Sequence, residues 1–321
     1  MDIKNCRLLV TPTTYGKYDS RLKSKLKDQV GEVIYSTTGK PLTSVEVAHL
    51  LPGMDGYIAG LDTINSQALE TADRLRVISR YGVGVDSVDL QACKDKNIIV
   101  TNTPGANTVS VAELSLGMIL ALARQLPVAM EATRRGQWPR LDGLSLVGKT
   151  IAIIGLGAIG KQLVRRLSGF DCHIVAYDPI PDHKYAQENQ VQLLSMDEAL
   201  PQADFVSLHV PLLPETRGLV NEAFITRMKK GSFLVNTSRG ELLDEEVVFR
   251  ALIDEHLSGA ALDVFTKEPP GSDNPLLSLP QVIPTPHMGA HTDGAVNAMG
   301  WMSLEDCLAV LRGEEPLYRV I

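Results

Sequence analysis

KTIAIIGLGAIGKQLVRRLSGFDCHIVAYDP, residues 149–179, is the stretch that decides the fold. Residues 150–154 are an apolar, β-branched run, a buried strand that stops at GLGAIG, residues 155–160. A helix follows: from Ile159 onward Leu163, Val164, Leu167 and Phe170 recur at helical spacing, with Lys161, Arg165 and Arg166 on the other face. Residues 173–177 then form a second strand that ends in Asp178. Strand, GxGxxG, helix, strand and acid together make a complete dinucleotide-binding unit, not a lone glycine motif. Gly155 allows the tight turn, Gly157 lets backbone N–H groups approach a pyrophosphate at the positive helix N-terminus, and Gly160 lets helix and strand pack closely. Asp178 is placed to accept hydrogen bonds from the adenosine ribose hydroxyls.

Working outward, strands and helices alternate on both sides. Residues 7–10, 32–35, 57–59 and 77–79 read as strands before the unit, with helices at 21–27 and 43–51. After it, 205–209, 232–235, 259–264 and 282–283 read as strands, 245–252 as a helix, and 294–311 as helical again. Alternation at this interval predicts α/β architecture, with parallel sheets covered by helices on both faces. The NTPG cluster at 102–105 reads as a linker, so a dinucleotide domain is expected over residues 103–289. Ser110 and Glu113 form a capping box that opens a long helix apolar on nearly every face. Such a helix needs cover all round, which makes it a candidate for a domain junction or a subunit interface.

Composition sets the bounds. With 321 residues, 44% of them hydrophobic, the chain can bury two cores. A net charge of −7 without any Lys/Arg tract argues against nucleic acid or an anionic membrane as partner, so an anionic substrate has to be captured locally. Cys6, Cys93, Cys172 and Cys307 are scattered singly, in neither metal-ligand nor disulfide spacing, which suits a cytoplasmic location. The N-terminus runs straight into a strand without the marks of a secretory signal. The most apolar stretch, residues 111–123, is too short to span a bilayer and reads as a buried helix.

Four places can carry chemistry. SRYGVGVD, residues 79–86, is a glycine-bracketed loop directly after a strand, whose N–H groups could hold a carboxylate; a plain strand-to-helix turn is the other reading of that stretch. Arg239, Glu268 and His287 each follow a strand of the second sheet, where sites are built. Reduction of a 2-keto acid needs a cation to hold the carboxylate and polarise the carbonyl, and an acid to protonate the nascent alkoxide. Arg239 supplies the planar fork, His287 the proton, and a neighbouring Glu268 would favour the imidazolium and fix its tautomer. Singly, each also reads as an ordinary surface or loop residue. Their shared position beside a dinucleotide unit is what changes the weight. The remaining histidines, His209 among them, read as structural or exposed.

RYGVGVDSVD (80–89), NTPGANTVSVAE (102–113), GLGAIG with Asp178, VNTSRGELLDE (235–245), ALDVFTKEP (261–269) and TPHMGA (285–290) together resemble the D-isomer-specific 2-hydroxyacid dehydrogenases, in particular the phosphoglycerate dehydrogenase-like branch, over essentially the whole chain. The resemblance implies two doubly wound parallel-sheet domains. The second, a Rossmann dinucleotide-binding domain at 103–289, is inserted in the first, a substrate-binding domain formed by 1–102 plus 290–321. It implies that Arg239, Glu268 and His287 are catalytic, and that Val83 and Gly84 bind the substrate carboxylate. NAD contacts are implied at Gly155, Gly157, Ala158, Ile159, Gly160, Asp178, Val210, Thr237, Asp263 and His287. It implies a homodimer joined through the long helix, no metal, and a small 2-hydroxy or 2-keto acid as partner. With Ile321 as the last residue, the C-terminal regulatory domain of many phosphoglycerate dehydrogenases is expected to be absent. Arg80 is the candidate cation for a substrate's far end, but Ala59-Gly60-Leu61-Asp62 stands where phosphoglycerate-specific relatives tend to carry a second arginine. That favours an uncharged-tail acid such as glyoxylate or hydroxypyruvate over a phosphorylated one. An NAD-sensing scaffold of the corepressor type is the alternative function. An enzyme acting on formate is disfavoured by Glu268, where formate dehydrogenases of the family have glutamine.

Overall fold

Residues along each strand alternate between two apolar cores, one on each face of a sheet, and this alternation organises both halves of the chain. The computed structural model describes residues 2–321, and the chain divides into two units, Met1–Asn107 with Ala290–Ile321, and Thr108–Gly289. The first unit runs β1 (Arg7–Val10), α1 (Arg21–Gln29), β2 (Glu32–Tyr35), α2 (Ser44–Leu50), β3 (Gly56–Ala59), α3 (Ser66–Leu69), β4 (Val77–Arg80), α4 (Leu90–Asp95) and β5 (Ile99–Thr101). Its sheet is parallel, in the order β2-β1-β3-β4-β5. Leu8, Val10, Ile58 and Val77 enter one core while Leu9, Tyr57 and Ile78 enter the other. β3 and β4 are buried along their whole length, as central strands of a doubly covered parallel sheet must be. β5 is absent from the strands expected above because three residues are too few to display a period.

The second unit contains α5 (Thr108–Ala123), α6 (Leu126–Arg134), β6 (Thr150–Ile154), α7 (Ala158–Leu167), β7 (His173–Tyr177), α8 (His183–Glu188), β8 (Gln192–Leu193) and α9 (Met196–Ala199). It continues through β9 (Phe205–Leu208), α10 (Glu222–Arg227), β10 (Ser232–Asn236), α11 (Glu245–Ile253), β11 (Leu257–Leu262) and β12 (Val282–Pro284). The chain moves outward from β6 to β7 and β8, then crosses back to β9, giving the order β12-β11-β10-β9-β6-β7-β8. The strand order therefore reverses between β6 and β9, the place where doubly wound sheets open a ligand crevice. Ile151, Ile153, Phe205 and Val235 fill one core, and Ala152, Ile154, Val206 and Leu234 the other. The last helix, α12 (Asp293–Arg312), belongs to the first unit, where Met299, Leu304, Leu308 and Leu311 join the core beside β3 and β4.

Two local expectations are corrected. α5 starts at Thr108, and Ser110 lies inside its first turn, giving its hydroxyl to Gly289 O at 2.6 Å. Glu113 meets Arg166 Nη2 at 2.9 Å instead of closing a capping box. Both side chains are spent on tertiary partners that sequence spacing does not display. The division between units also falls later than residue 102, because Thr103 N–H donates to Gly82 O and the Asn102 amide to Val83 O, holding both residues to the first unit. Among the described residues no single helix is long and apolar enough to cross a membrane. α5 and α6 reach that length only as a pair bent by 64°, with Gln125 at φ +50 in the break.

Candidate active site

The glycine-rich turn is built as close-packing demands. Gly155 sits at φ +100, and a Cβ there would lie 2.6 Å from His209 O at the end of β9. A Cβ on Gly160 would lie 2.3 Å from Gly155 O, so α7 reaches the strand only because this residue has no side chain. At Gly157 an added Cβ would meet nothing within 4 Å. This residue is the N-cap of α7 with no side-chain cap, which leaves the first-turn N–H groups of Ala158 and Ile159 for a ligand. Asp178 Oδ2 accepts from Leu156 N and Oδ1 from Ile180 N, both at 2.8 Å. The acid therefore steadies the turn, and each oxygen keeps a lone pair for a sugar hydroxyl. The residues present fit a dinucleotide: an open backbone approach, a positive helix end and an acceptor at the tip of β7.

Beside this turn, side chains staple the loops that leave β10, β11 and β12. Asn236, fully buried at the end of β10, gives its amide to Arg239 O at 2.8 Å and accepts from Ser238 N at 3.0 Å. Asp263, 1% exposed, accepts from the Thr285 hydroxyl at 2.5 Å and from Met288 N and Gly289 N at 2.8 Å. Its own carbonyl accepts from His287 N at 2.9 Å. This grip holds His287 at φ +51, a left-handed conformation uncommon outside glycine. Glu245, the first residue of α11, accepts from Thr266 N at 2.6 Å, the Thr266 hydroxyl at 2.7 Å and Asn274 Nδ2 at 2.9 Å.

The staples bring the expected trio's loops together. His287 Nδ1 lies 2.6 Å from Glu268 Oε2, both side chains partly exposed, so Nε2 is the ring nitrogen that the carboxylate does not hold. Gly240, next to Arg239, lies against the backbone of the Glu268 loop so closely that a Cβ would fall 1.9 Å from the Phe265 carbonyl carbon. Arg239 gives Nη1–H to Ser238 O at 2.7 Å. Thr237 is buried on the Ser115 hydroxyl at 2.9 Å, and Val210 is buried at the end of β9.

In the first unit, the loop after β4 carries Val83 and Gly84, whose N–H groups have no acceptor within the described protein. Arg80 is not a cation on offer to a substrate's far end: it is 2% exposed, and its guanidinium donates to Ala59 O and Gly84 O. Nor is Asp62 an exposed anion. It is 1% exposed, accepting from Leu42 N at 2.7 Å, Tyr57 OH at 2.8 Å, Gly60 N at 3.0 Å and the Thr11 hydroxyl. Sequence reasoning missed Asn102, Asn236 and Glu245 as organisers of these loops. The available signal was an Asn closing an apolar strand, a residue that hydrogen-bonds the backbone of the turn it enters.

Residues 116–289 match the model of the D-isomer specific 2-hydroxyacid dehydrogenase NAD binding domain. The chain belongs to this family. A D-3-phosphoglycerate dehydrogenase of Methanocaldococcus jannaschii is 43% identical over 90% of the chain, though over only 55% of its own length; the chain spans about half the length of the curated relatives it matches. A solved structure of a Thermus thermophilus protein is 36% identical with a TM-score of 0.87, covering 98% of this chain and 100% of that one. A D-lactate dehydrogenase from Aquifex aeolicus, solved with NAD and lactic acid, is 27% identical with a TM-score of 0.87, covering 98% of each chain. The second unit is thus the family's NAD-binding domain.

Proposed function

We propose that the protein is an NAD-dependent dehydrogenase interconverting a small D-2-hydroxy acid and its 2-keto acid. The observation that carries this reading is the 2.6 Å contact between His287 Nδ1 and Glu268 Oε2 at the strand ends of an NAD-binding domain. The bound dinucleotide supplies or accepts the hydride at C2. In reduction, His287 Nε2 gives its proton to the carbonyl oxygen as C2 gains the hydride, and in oxidation the same nitrogen takes that proton back. Glu268 fixes the ring's tautomer and balances the imidazolium charge. Arg239 pairs with the substrate carboxylate and polarises the carbonyl; the N–H groups of Val83 and Gly84 are a second candidate for binding a carboxylate.

NAD is preferred over NADP, because Asp178 repels a 2′-phosphate and the nearby cations are engaged: Lys161 with Asp182 at 2.6 Å, Lys184 with Glu188 at 3.9 Å. The substrate is a short uncharged-tail acid, glyoxylate or hydroxypyruvate, in preference to 3-phosphohydroxypyruvate. Gly60 provides no cation and Arg80 is occupied with carbonyls. The protein works in the cytoplasm, with its cysteines free, and as a homodimer. Leu126, Met130 and Trp138, on α6 and the segment after it, are exposed apolar side chains, with Trp138 at 79%, and a second copy covers them. NADH oxidation against a panel of 2-keto acids tests the reading; NADH binding without turnover on any of them would leave a cofactor-sensing scaffold instead.

A further inference from the structure

Residues 82–84 present three consecutive carbonyls, and each has its own donor. Gly82 O accepts from Thr103 N at 3.0 Å, Val83 O from Asn102 Nδ2 at 2.8 Å, and Gly84 O from Arg80 Nε at 3.1 Å. Because a peptide unit is planar and trans, a carbonyl tied in one direction sends the next residue's N–H in the opposite one. The three anchored carbonyls therefore fix the N–H groups of Val83, Gly84 and Val85. None of these three N–H groups has an acceptor within the described protein. The loop starts at Gly82 with φ +155, a conformation L side chains rarely adopt.

Arg80 does more than hold Gly84. Its Nη1–H donates to Ala59 O at 2.8 Å, and Tyr81 N–H donates to the same carbonyl at 2.9 Å. One buried guanidinium thus ties the end of β3 to the loop after β4. With Nε and Nη1 given to backbone carbonyls and the residue 2% exposed, this side chain shapes the loop. Asn102 performs the same task from the segment after β5.

Resting on the dehydrogenase reading above, we infer that Arg80 and Asn102 are positioning residues of the substrate-carboxylate loop. They set three peptide planes so that the loop's N–H groups are presented to the anion before it arrives, and neither touches the substrate. Their loss weakens capture of the carboxylate common to every 2-keto acid, whatever the rest of the molecule carries.

The test is steady-state kinetics of Arg80→Met and Asn102→Ala on glyoxylate, hydroxypyruvate and 3-phosphohydroxypyruvate with saturating NADH, with NADH affinity measured separately by fluorescence. The expected result is a KM raised about tenfold, as for one anion-holding hydrogen bond lost, and by the same factor on all three acids. kcat changes far less, and NADH affinity, which belongs to the other unit, is unchanged. A much larger loss on the phosphorylated acid in Arg80→Met would overturn the assignment by making Arg80 a contact to the second anion. Unchanged KM values in Asn102→Ala would overturn it too, and that half-exposed position decides the matter if Arg80→Met fails to fold. The parent is assayed first. No turnover on any of the three acids overturns the dehydrogenase reading together with this one, whereas turnover in the parent with an indifferent Asn102→Ala overturns this one alone.

Discussion

His287 combines a left-handed backbone with a carboxylate on Nδ1, and each half of that arrangement makes a prediction. His287→Asn removes the proposed proton carrier and should lower kcat by roughly 10²–10⁴-fold while leaving NADH affinity intact, as read by kinetics and fluorescence. Glu268→Gln takes away the imidazolium's charged partner. Reduction, which needs the protonated ring, should then fail at a lower pH than in the parent, and oxidation should extend to more acidic pH; pH profiles unchanged in both directions would remove Glu268 from the mechanism. His209 behaves differently. Its Nδ1 is buried without a partner among the described residues, Nε2 lies 2.9 Å from the Ser207 hydroxyl, and burial pushes the imidazole down from 6.5 to about 4. The unfolded chain therefore binds a proton between those values that the folded chain refuses. Stability is fully present above pH 6.5 and is lost as pH falls toward 4, by about 2 kcal/mol between pH 7 and 5. Denaturant titrations at the two pH values should give a smaller difference in His209→Gln than in the parent. Neither histidine's role follows from its neighbours in sequence: His287 meets Glu268 across 19 residues, and His209 is isolated by the strands around it.

Among the elements, the turn from β6 into α7 was legible in outline: Gly160 packs against Gly155, five residues away, whereas the close approach of Gly155 to His209 needs β6 and β9 side by side. Asp178 was legible as an acceptor, but its hold on Leu156 N was not, since that contact needs β6 and β7 side by side. Asp178→Ala should therefore do two things: raise KM for NADH by loosening the turn, and narrow the preference for NADH over NADPH by removing the repulsive carboxylate. Equal or better kcat/KM with NADPH in the parent would refute the assignment of Asp178. Gly240 makes the corresponding point for the loops that carry Arg239 and Glu268. Gly240→Ala drives a methyl into the Phe265–Thr266 backbone, which cannot yield as a flexible side chain does. The Arg239 and Glu268 loops should separate, with a fall in kcat larger than the loss of thermal stability explains, measured by kinetics beside a melting curve. The capping box expected at Ser110 and Glu113 is the opposite case. The spacing was present, but α5 begins at Thr108, so Ser110 lies inside the first turn, where its hydroxyl is given to Gly289 O.

For the whole molecule, the exposed apolar side chains of α6 and the segment after it predict self-association. Trp138→Glu should shift the species seen by light scattering from dimer toward monomer, and a parent that is already monomeric would refute the interface. Substrate choice belongs to this scale as well, since it depends on which charges remain uncommitted once the chain has folded. The parent should reduce glyoxylate or hydroxypyruvate with a higher kcat/KM than 3-phosphohydroxypyruvate. One missing charge-assisted contact is worth about 1.5–3 kcal/mol, or one to two decades in affinity. A clear preference for the phosphorylated acid in steady-state kinetics would mean that a cation reaches it from elsewhere.

By itself the sequence determined what short-range chemistry can determine. Alternating apolar strands and helices, a GxGxxG turn followed by an acid, and polar residues just past strand ends are all written in local spacing, and they carried the fold class and the choice of Arg239, Glu268 and His287 as candidates. Tertiary structure decided which polar side chains were already spent. Arg80 read as an available cation and Asp62 as a nearby anion, yet β3 lies beside β4 and β1, and in that company both groups are buried on hydrogen-bond partners. Asn236, Asp263 and Glu245 became visible as the staples of three loops for the same reason. A hydrogen bond's partner is set by which backbone packs alongside, and parallel strands bring together segments separated in sequence by whole helices.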